Sequence, residues 1–153
     1  SQQAPKFTMY DSSGSKLLRN KTICIAEDQT FNREILKSMA QSEGAEVIAF
    51  ADGEHLIKAV KSNSLPPDID CFLIDIHMPI MSGVETLTLL REFAEYKNTP
   101  AYFVTADAVQ DNLARYWSND YNLSGIHLKP LKRQELINCV NGNIEIASIK
   151  GAN

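Results

Sequence analysis

The stretch D-C-F-L-I-D-I-H-M-P-I-M-S-G, residues 70–83, decides how the rest of the chain is read. Cys71, Phe72, Leu73 and Ile74 form an apolar run without polar alternation, the pattern of a strand covered on both faces of a parallel sheet. The run ends on Asp75, and Met78, Pro79, Ser82 and Gly83 follow as turn and cap residues. Asp75 is therefore expected at the carboxyl end of a central strand, facing the loops where open α/β sheets bind ligands. A buried strand that merely ends in an acid reads the same way, so the other strand ends have to decide.

Upstream, Thr22-Ile23-Cys24-Ile25-Ala26 is a second apolar run, and it closes on the pair Glu27-Asp28. Thr30 is the expected cap of a following helix, with Phe31, Ile35, Leu36 and Met39 on one face and Gly44 as its stop. Residues 46–50 are strand-like, Asp52-Gly53 reads as a turn, and Leu56, Ile57, Ala59 and Val60 mark a second helix. Downstream of Asp75, Ser82 and Glu85 have capping-box spacing, and Val84, Leu87, Leu90 and Ala94 give an apolar helix face. Residues 101–104 lead to Thr105, a fourth helix is predicted over 109–118, and Ile126-His127-Leu128 runs into Lys129-Pro130. A last helix over 133–140 turns Leu136, Ile137 and Val140 inward and closes at Asn141-Gly142. The strand starts lie about 25 to 30 residues apart, the rhythm of right-handed strand-helix crossovers. The predicted fold class is α/β, a doubly wound five-stranded parallel sheet with helices on both faces.

At 153 residues the chain suits one domain with a core that needs neither disulfide nor structural metal. Residues 1–20 read as a linker or tail, 21–141 as the domain and 142–153 as a short tail. The lack of an initiating Met leads to the expectation that this is a piece of a longer protein, with no effector domain after Asn141. A net charge of -4 excludes a general nucleic-acid surface and argues against direct membrane contact, since both need a basic footprint. Cys24, Cys71 and Cys139 are odd in number and sit among apolar neighbours, which fits buried reduced thiols. No apolar run approaches the about 18 residues of a membrane span, and the first residues lack signal-peptide order.

What terminates each strand is informative: Glu27 and Asp28, then Asp75, then Thr105, then Lys129. In a parallel sheet these ends converge on one rim. Carboxylates gathered there repel and raise one another's pKa unless a cation is present. Oxygen ligands without a His or Cys cluster favour a hard ion, Mg²⁺, that leaves positions open for phosphate oxygens. Lys129 adds a second positive charge, and Thr105 offers a hydroxyl to a bound group. These parts suit phosphoryl transfer onto a carboxylate, with Asp75 the natural nucleophile because it stands alone opposite the acidic pair. The competing assignment is a solvated acidic rim with Lys129 as a surface charge.

With these motifs in hand, the chain resembles a receiver domain of the two-component response regulators, including receivers fused to hybrid histidine kinases. The resemblance rests on A-E-D-Q-T-F-N-R at 26–33, L-I-D-I-H-M-P-I-M-S-G at 73–83, V-T-A-D-A at 104–108 and L-K-P-L at 128–131, in order and at family spacing. It covers about residues 21–141 and implies a flavodoxin-like strand order 2-1-3-4-5. It also implies that Asp75 is the phosphoacceptor, that Asp28, Asp75 and the backbone carbonyl of His77 bind Mg²⁺, and that Glu27 acts directly or through water. Thr105 is then the switch hydroxyl and Lys129 the phosphate-contacting amine, with a cis peptide at Lys129-Pro130. One departure stands out: Ile126 occupies the position where the family usually carries Tyr or Phe, so the familiar aromatic relay has no ring to move.

The resemblance further implies that His77 and Asp107 modulate the lifetime of the phosphoryl group. His55 and His127 read as surface or packing residues, and Tyr116 and Trp117 as core rings of the fourth helix. The implied partners are a histidine kinase dimerisation domain or a histidine phosphotransfer protein, with a homodimer through the fourth helix, last strand and fifth helix as a further expectation. The implied location is cytoplasmic, including the cytoplasmic part of a membrane-anchored kinase. Such a domain catalyses only its own phosphorylation and dephosphorylation, while its parent chain is a candidate histidine kinase.

Four other readings compete. A free-standing single-domain response regulator would act by protein contact alone. A haloacid-dehalogenase-like aspartyl phosphatase needs D-x-D after a strand, whereas Asp68-Ile69-Asp70 precedes one. A flavodoxin-like cofactor binder would place phosphate against Glu27-Asp28, which repel it. A pseudo-receiver would lack the intact acidic site.

Overall fold

The computed structural model describes residues 16–106 and 121–142. Five strands form one parallel sheet: β1 (Thr22–Ala26), β2 (Glu46–Phe50), β3 (Cys71–Asp75), β4 (Ala101–Thr105) and β5 (Gly125–Leu128). Their order is β2-β1-β3-β4-β5, the flavodoxin-like order expected. The chain moves outward from β1 to β2, then crosses back to β3 and proceeds the other way. The topological switch point therefore lies between β1 and β3, and there a doubly wound sheet leaves a crevice at its carboxyl rim.

Among the described residues the helices are α1 (Thr30–Ser42), α2 (Gly53–Lys61), α3 (Gly83–Leu90) and α4 (Arg133–Asn141), with a short 3-10 turn at Ala94–Tyr96. Alternation along the strands sorts the core into two layers. Cys24, Ala26, Phe72, Ile74 and Phe103 face one side, where Leu56, Ile57 and Val60 of α2 and Leu87 and Leu90 of α3 cover them. Ile23, Ile25, Cys71, Leu73 and Val104 face the other, under Ala40 of α1 and Leu136, Ile137, Cys139 and Val140 of α4. All five residues of β3 are buried, as its unbroken apolar run requires. The three cysteines are free and buried.

Several local expectations are corrected. Gln29, not Thr30, is the N-cap of α1, and Thr30 opens the helix. Asp52-Gly53 is not an isolated turn: the Asp52 carboxylate accepts the His55 N–H at 2.8 Å and starts α2. Ser82 caps α3 as expected, accepting the Glu85 N–H at 3.2 Å. The helix ends at Leu90, however, so Ala94 is exposed rather than inward. The predicted inward face of α1 splits. Leu36 and Met39 pack on the core, while Phe31 is 75% and Ile35 44% exposed.

At the amino end, Leu18 lies in the stretch read as linker, yet it is fully buried in the second core layer. Packing thus reaches N-terminal of residue 21. The expected helix at 109–118, with Tyr116 and Trp117, lies outside the described residues, as do Asp107 and the outer parts of both tails. Among the described residues no helix is long and apolar enough to cross a membrane.

Candidate functional site

β1 and β3 end side by side, with Ala26 paired to Ile74, so Glu27 and Asp75 emerge next to each other at the switch point. Both are 5% exposed, and Asp28 is half-buried. One carboxylate oxygen from each of Glu27, Asp28 and Asp75 lies within 4.8 Å of the others. The sequence placed three acids on one rim, and the structure brings them to metal-ligating distance.

Lys129 arrives from the far side. The backbone N–H of Lys129 donates to the Thr105 carbonyl at 2.8 Å, and its Nζ reaches Glu27 Oε1 at 2.6 Å and Asp75 Oδ2 at 3.0 Å. The Lys129-Pro130 peptide is cis, as expected. The Asp75 carboxyl is pushed up to about 7: burial raises it most, the Lys129 hydrogen bond holds it down, and the Glu27 charge raises it again. Lys129 is half-buried, which pulls its ammonium down, but its hydrogen bonds to Glu27 and Asp75 outweigh this and leave it raised. The two directions are consistent, because one amine has two carboxylates to pair with and neither carboxylate has it alone.

The loop after β3 shapes the approach to Asp75. Its Oδ1 accepts the His77 N–H at 3.2 Å, while the His77 side chain is exposed. Gly83 donates to the Ile76 carbonyl at 2.8 Å, and a Cβ at Gly83 would stand 2.3 Å from the Asp75 carbonyl oxygen. Only glycine lets α3 begin so close to the strand end. Ile80, in the same loop, has a φ of 70° and is 75% exposed, a costly pairing for a β-branched residue.

Thr105 sits fully buried at the end of β4, one residue beyond the partner of Asp75. Ile126 is half-buried and packs against the first core layer, below the rim rather than on it. His55 and His127 stay out of the site: His55 bonds the Asp52 carboxylate at 2.8 Å, and His127 lies between Glu135 and Cys139, each at 3.2 Å.

Two features of the site were not anticipated. Arg33 donates from Nη1 to the Glu27 carbonyl at 2.8 Å, and the Gln29 N–H donates to Glu27 Oε2 at 3.0 Å, so the start of α1 holds the first acid in place. The second is a groove of about 270 Å³ running from Asp75, Glu27 and Lys129 along Phe31 and Ile35 of α1, with Pro130 and Leu131 opposite. An Asn-Arg pair one helical turn after the acids is the sequence signal for the first. The exposed rings and methyls of α1 carry no signal that separates a groove wall from a core face.

The donor set is carboxylate oxygen throughout, which fits a hard divalent cation of the Mg²⁺ kind. With such a cation bound and Lys129 across from it, the rim would offer an anionic group two positive charges beside the Asp75 carboxylate.

Residues 23–141 match the response regulator receiver domain family. The chain is 28% identical over 135 residues to hybrid signal transduction histidine kinase I of Dictyostelium discoideum, covering 86% of this chain and 8% of that protein. It is 30% identical over 126 residues to the CAI-1 autoinducer sensor kinase/phosphatase CqsS of Vibrio cholerae, covering 82% of this chain and 18% of that protein. The chain thus spans a small part of the length of either relative. Among solved structures it resembles the receiver domain of a sensor histidine kinase from Pseudomonas aeruginosa with a magnesium ion coordinated in the active site cleft. That likeness has 26% identity and a TM-score of 0.65, covering 80% of this chain and 98% of the other. A sensor protein from Polaromonas shares the fold at 20% identity, with a TM-score of 0.71 over 83% of this chain and 98% of that one.

Proposed function

The chain belongs to the response regulator receiver domain family of two-component signalling, and on that premise we propose that Asp75 is its phosphoacceptor. The observation that carries this reading is the cluster of Glu27, Asp28 and Asp75 oxygens with Lys129 Nζ 3.0 Å from Asp75. An Asp75 oxygen attacks phosphorus, the phosphorus–nitrogen bond of a phosphohistidine breaks, and the imidazole nitrogen keeps the electron pair. Glu27, Asp28, Asp75 and the His77 carbonyl would hold Mg²⁺. When bound, Mg²⁺ supplies the charge that lets three carboxylates and a phosphoryl group share the rim.

Lys129 exchanges its carboxylate contacts for a phosphoryl oxygen, and Thr105 supplies the hydroxyl that reports the new group. His77 and Asp107 tune attack by water. The residues present support a switch that does not use an aromatic ring at 126, since Ile126 is packed against the core.

We further propose that the groove between α1 and the 129–131 turn receives the helix that bears the donor histidine, because its apolar walls end at Asp75. The donor is a histidine kinase dimerisation domain or a phosphotransfer protein acting in the cytoplasm, in keeping with the hybrid histidine kinase and the sensor kinase among the relatives. The boundaries 21–141 for the receiver, extended back to the buried Leu18, belong to the same reading. Incubation with Mg²⁺ and acetyl phosphate, followed by mass spectrometry, tests it. The native chain gains one phosphoryl group and Asp75→Asn gains none; equal labelling of both would end the assignment.

A further inference from the structure

The rim opposite Asp75 is tied by a device that the acceptor chemistry leaves unused. Residues 16–20, a bridging residue followed by a tight turn, precede β1 at the amino end of the sheet and serve as a strap. The N–H of Leu18 donates to the Glu43 carbonyl at 2.9 Å, and the Leu17 carbonyl accepts from Asn141 Nδ2 at 3.3 Å. Leu18 fills the layer beneath α1 and α4 with no exposed surface. Gly44 makes room for it, since a Cβ there would stand 3.2 Å from the Arg19 nitrogen, at a φ of +97°.

The strap joins two helices whose other ends frame the groove. α1 supplies Phe31, Asn32, Ile35 and Leu36 to one wall, and the 129–131 turn that supplies the other leads directly into α4. The same two helices meet again where Arg133, the first residue of α4, donates from Nη1 to Glu43 Oε1 at 2.5 Å and to Ser42 Oγ at 2.9 Å. Glu43 is fully buried, and its Oε2 has no hydrogen-bond partner among the described residues. A buried carboxylate with a spare oxygen depends heavily on its cation, so the Arg133 contact resists separation of the helices.

We propose that the 16–20 strap and the Arg133–Glu43 pair are positioning elements: they fix α1 against α4 and so set the width of the groove leading to Asp75. The consequence for signalling rests on the reading of that groove as the donor's docking surface. The width itself does not.

The test uses the full chain and methyl NOEs across the groove, Ile35 to Leu131 and Leu36 to Leu131, with Leu56 to Leu87 on the opposite face as an internal control. Leu18→Ala and Arg133→Ala should lose the cross-groove NOEs and keep the control, while Leu18→Met and Arg133→Lys should keep both. Cross-groove NOEs that persist in both alanine variants, or loss on both faces alike, would overturn the proposal. Should Leu18→Ala fail to fold, Arg133→Ala and Glu43→Gln decide by the same two sets of NOEs. Phosphoryl uptake from phosphoramidate, recorded in parallel, should be unchanged in every variant, because a small donor needs no groove. Absence of uptake in the native chain would refute the acceptor reading and leave the strap standing or falling on its NOEs.

Discussion

Lys129 and Asp75 are 54 residues apart in sequence, yet Nζ of one donates to Oδ2 of the other at 3.0 Å, and the same amine reaches Glu27 at 2.6 Å. One ammonium thus bridges two buried carboxylates whose charges would otherwise repel each other. Replacing it by an isosteric apolar chain removes both pairings at once. Lys129→Met should slow phosphorylation of Asp75 by acetyl phosphate roughly tenfold or more, the usual range for loss of one charge aimed at a transferring group. Mass spectrometry against time measures it, and a native rate would remove Lys129 from the machinery.

Asp75 itself gives a pH-dependent outcome. Burial first, and the Glu27 charge after the opposing Lys129 contact, leave its folded carboxyl at about 7, above the ordinary value of 3.8. Folding therefore favours the protonated form. The stability contributed by that preference is complete below the ordinary value and is lost as pH rises through about 7. Asp75→Asn mimics the protonated acid. In EDTA at pH 8 it should be more stable than the native chain by on the order of 1–3 kcal/mol, with the gap closing as pH falls toward 4. Added Mg²⁺ should narrow the gap at pH 8, since a bound cation favours the ionised carboxylate. Urea melts with and without EDTA decide, and a gap indifferent to Mg²⁺ would sink the metal reading.

These groups were legible in the sequence because a parallel sheet delivers every strand end to one rim. Glu27, Asp28, Asp75, Thr105 and Lys129 could be assembled without coordinates once the five apolar runs were seen. The face of α1 was legible only in part. Helical period shows that Phe31 and Ile35 share a side with Leu36 and Met39, but it does not say whether that side meets core or solvent. Leu18 was missed for a related reason: a buried leucine inside a polar stretch has no repeat to announce it. Thr30 was read as a cap from residue type, and the local chain gave that place to Gln29 instead.

Gly83 gives a stability test. A methyl at this position would stand 2.3 Å from the Asp75 carbonyl oxygen and 2.9 Å from the Ile76 Cα, both backbone atoms that cannot rotate away. Gly83→Ala should cost about 1–3 kcal/mol through overpacking and also slow phosphorylation, because relief requires the end of β3 to move. Thermal melts and acetyl phosphate labelling, read together, check both effects. A variant as stable and as reactive as the native chain would show that α3 can shift freely, contrary to the packing seen.

On the proposed docking role of the groove, the chemistry of Asp75 and the recognition of its donor come apart. Phe31 is 75% exposed, and Ile35 44%, so neither contributes much to folding, and truncating them should change stability by no more than about 0.5 kcal/mol. Their apolar surfaces line the approach to Asp75, where a helix carrying a phosphohistidine would bury them. Phe31→Ser and Ile35→Ser should therefore leave labelling by acetyl phosphate untouched. Transfer from a phosphorylated histidine-bearing domain that serves the native chain should slow about fivefold to tenfold for each, the loss expected of an apolar anchor worth about 1 kcal/mol. The comparison is internal, since the same variant meets both donors and only one of them needs the groove. Equal rates from the protein donor for native and variant chains would move the docking surface elsewhere on the rim.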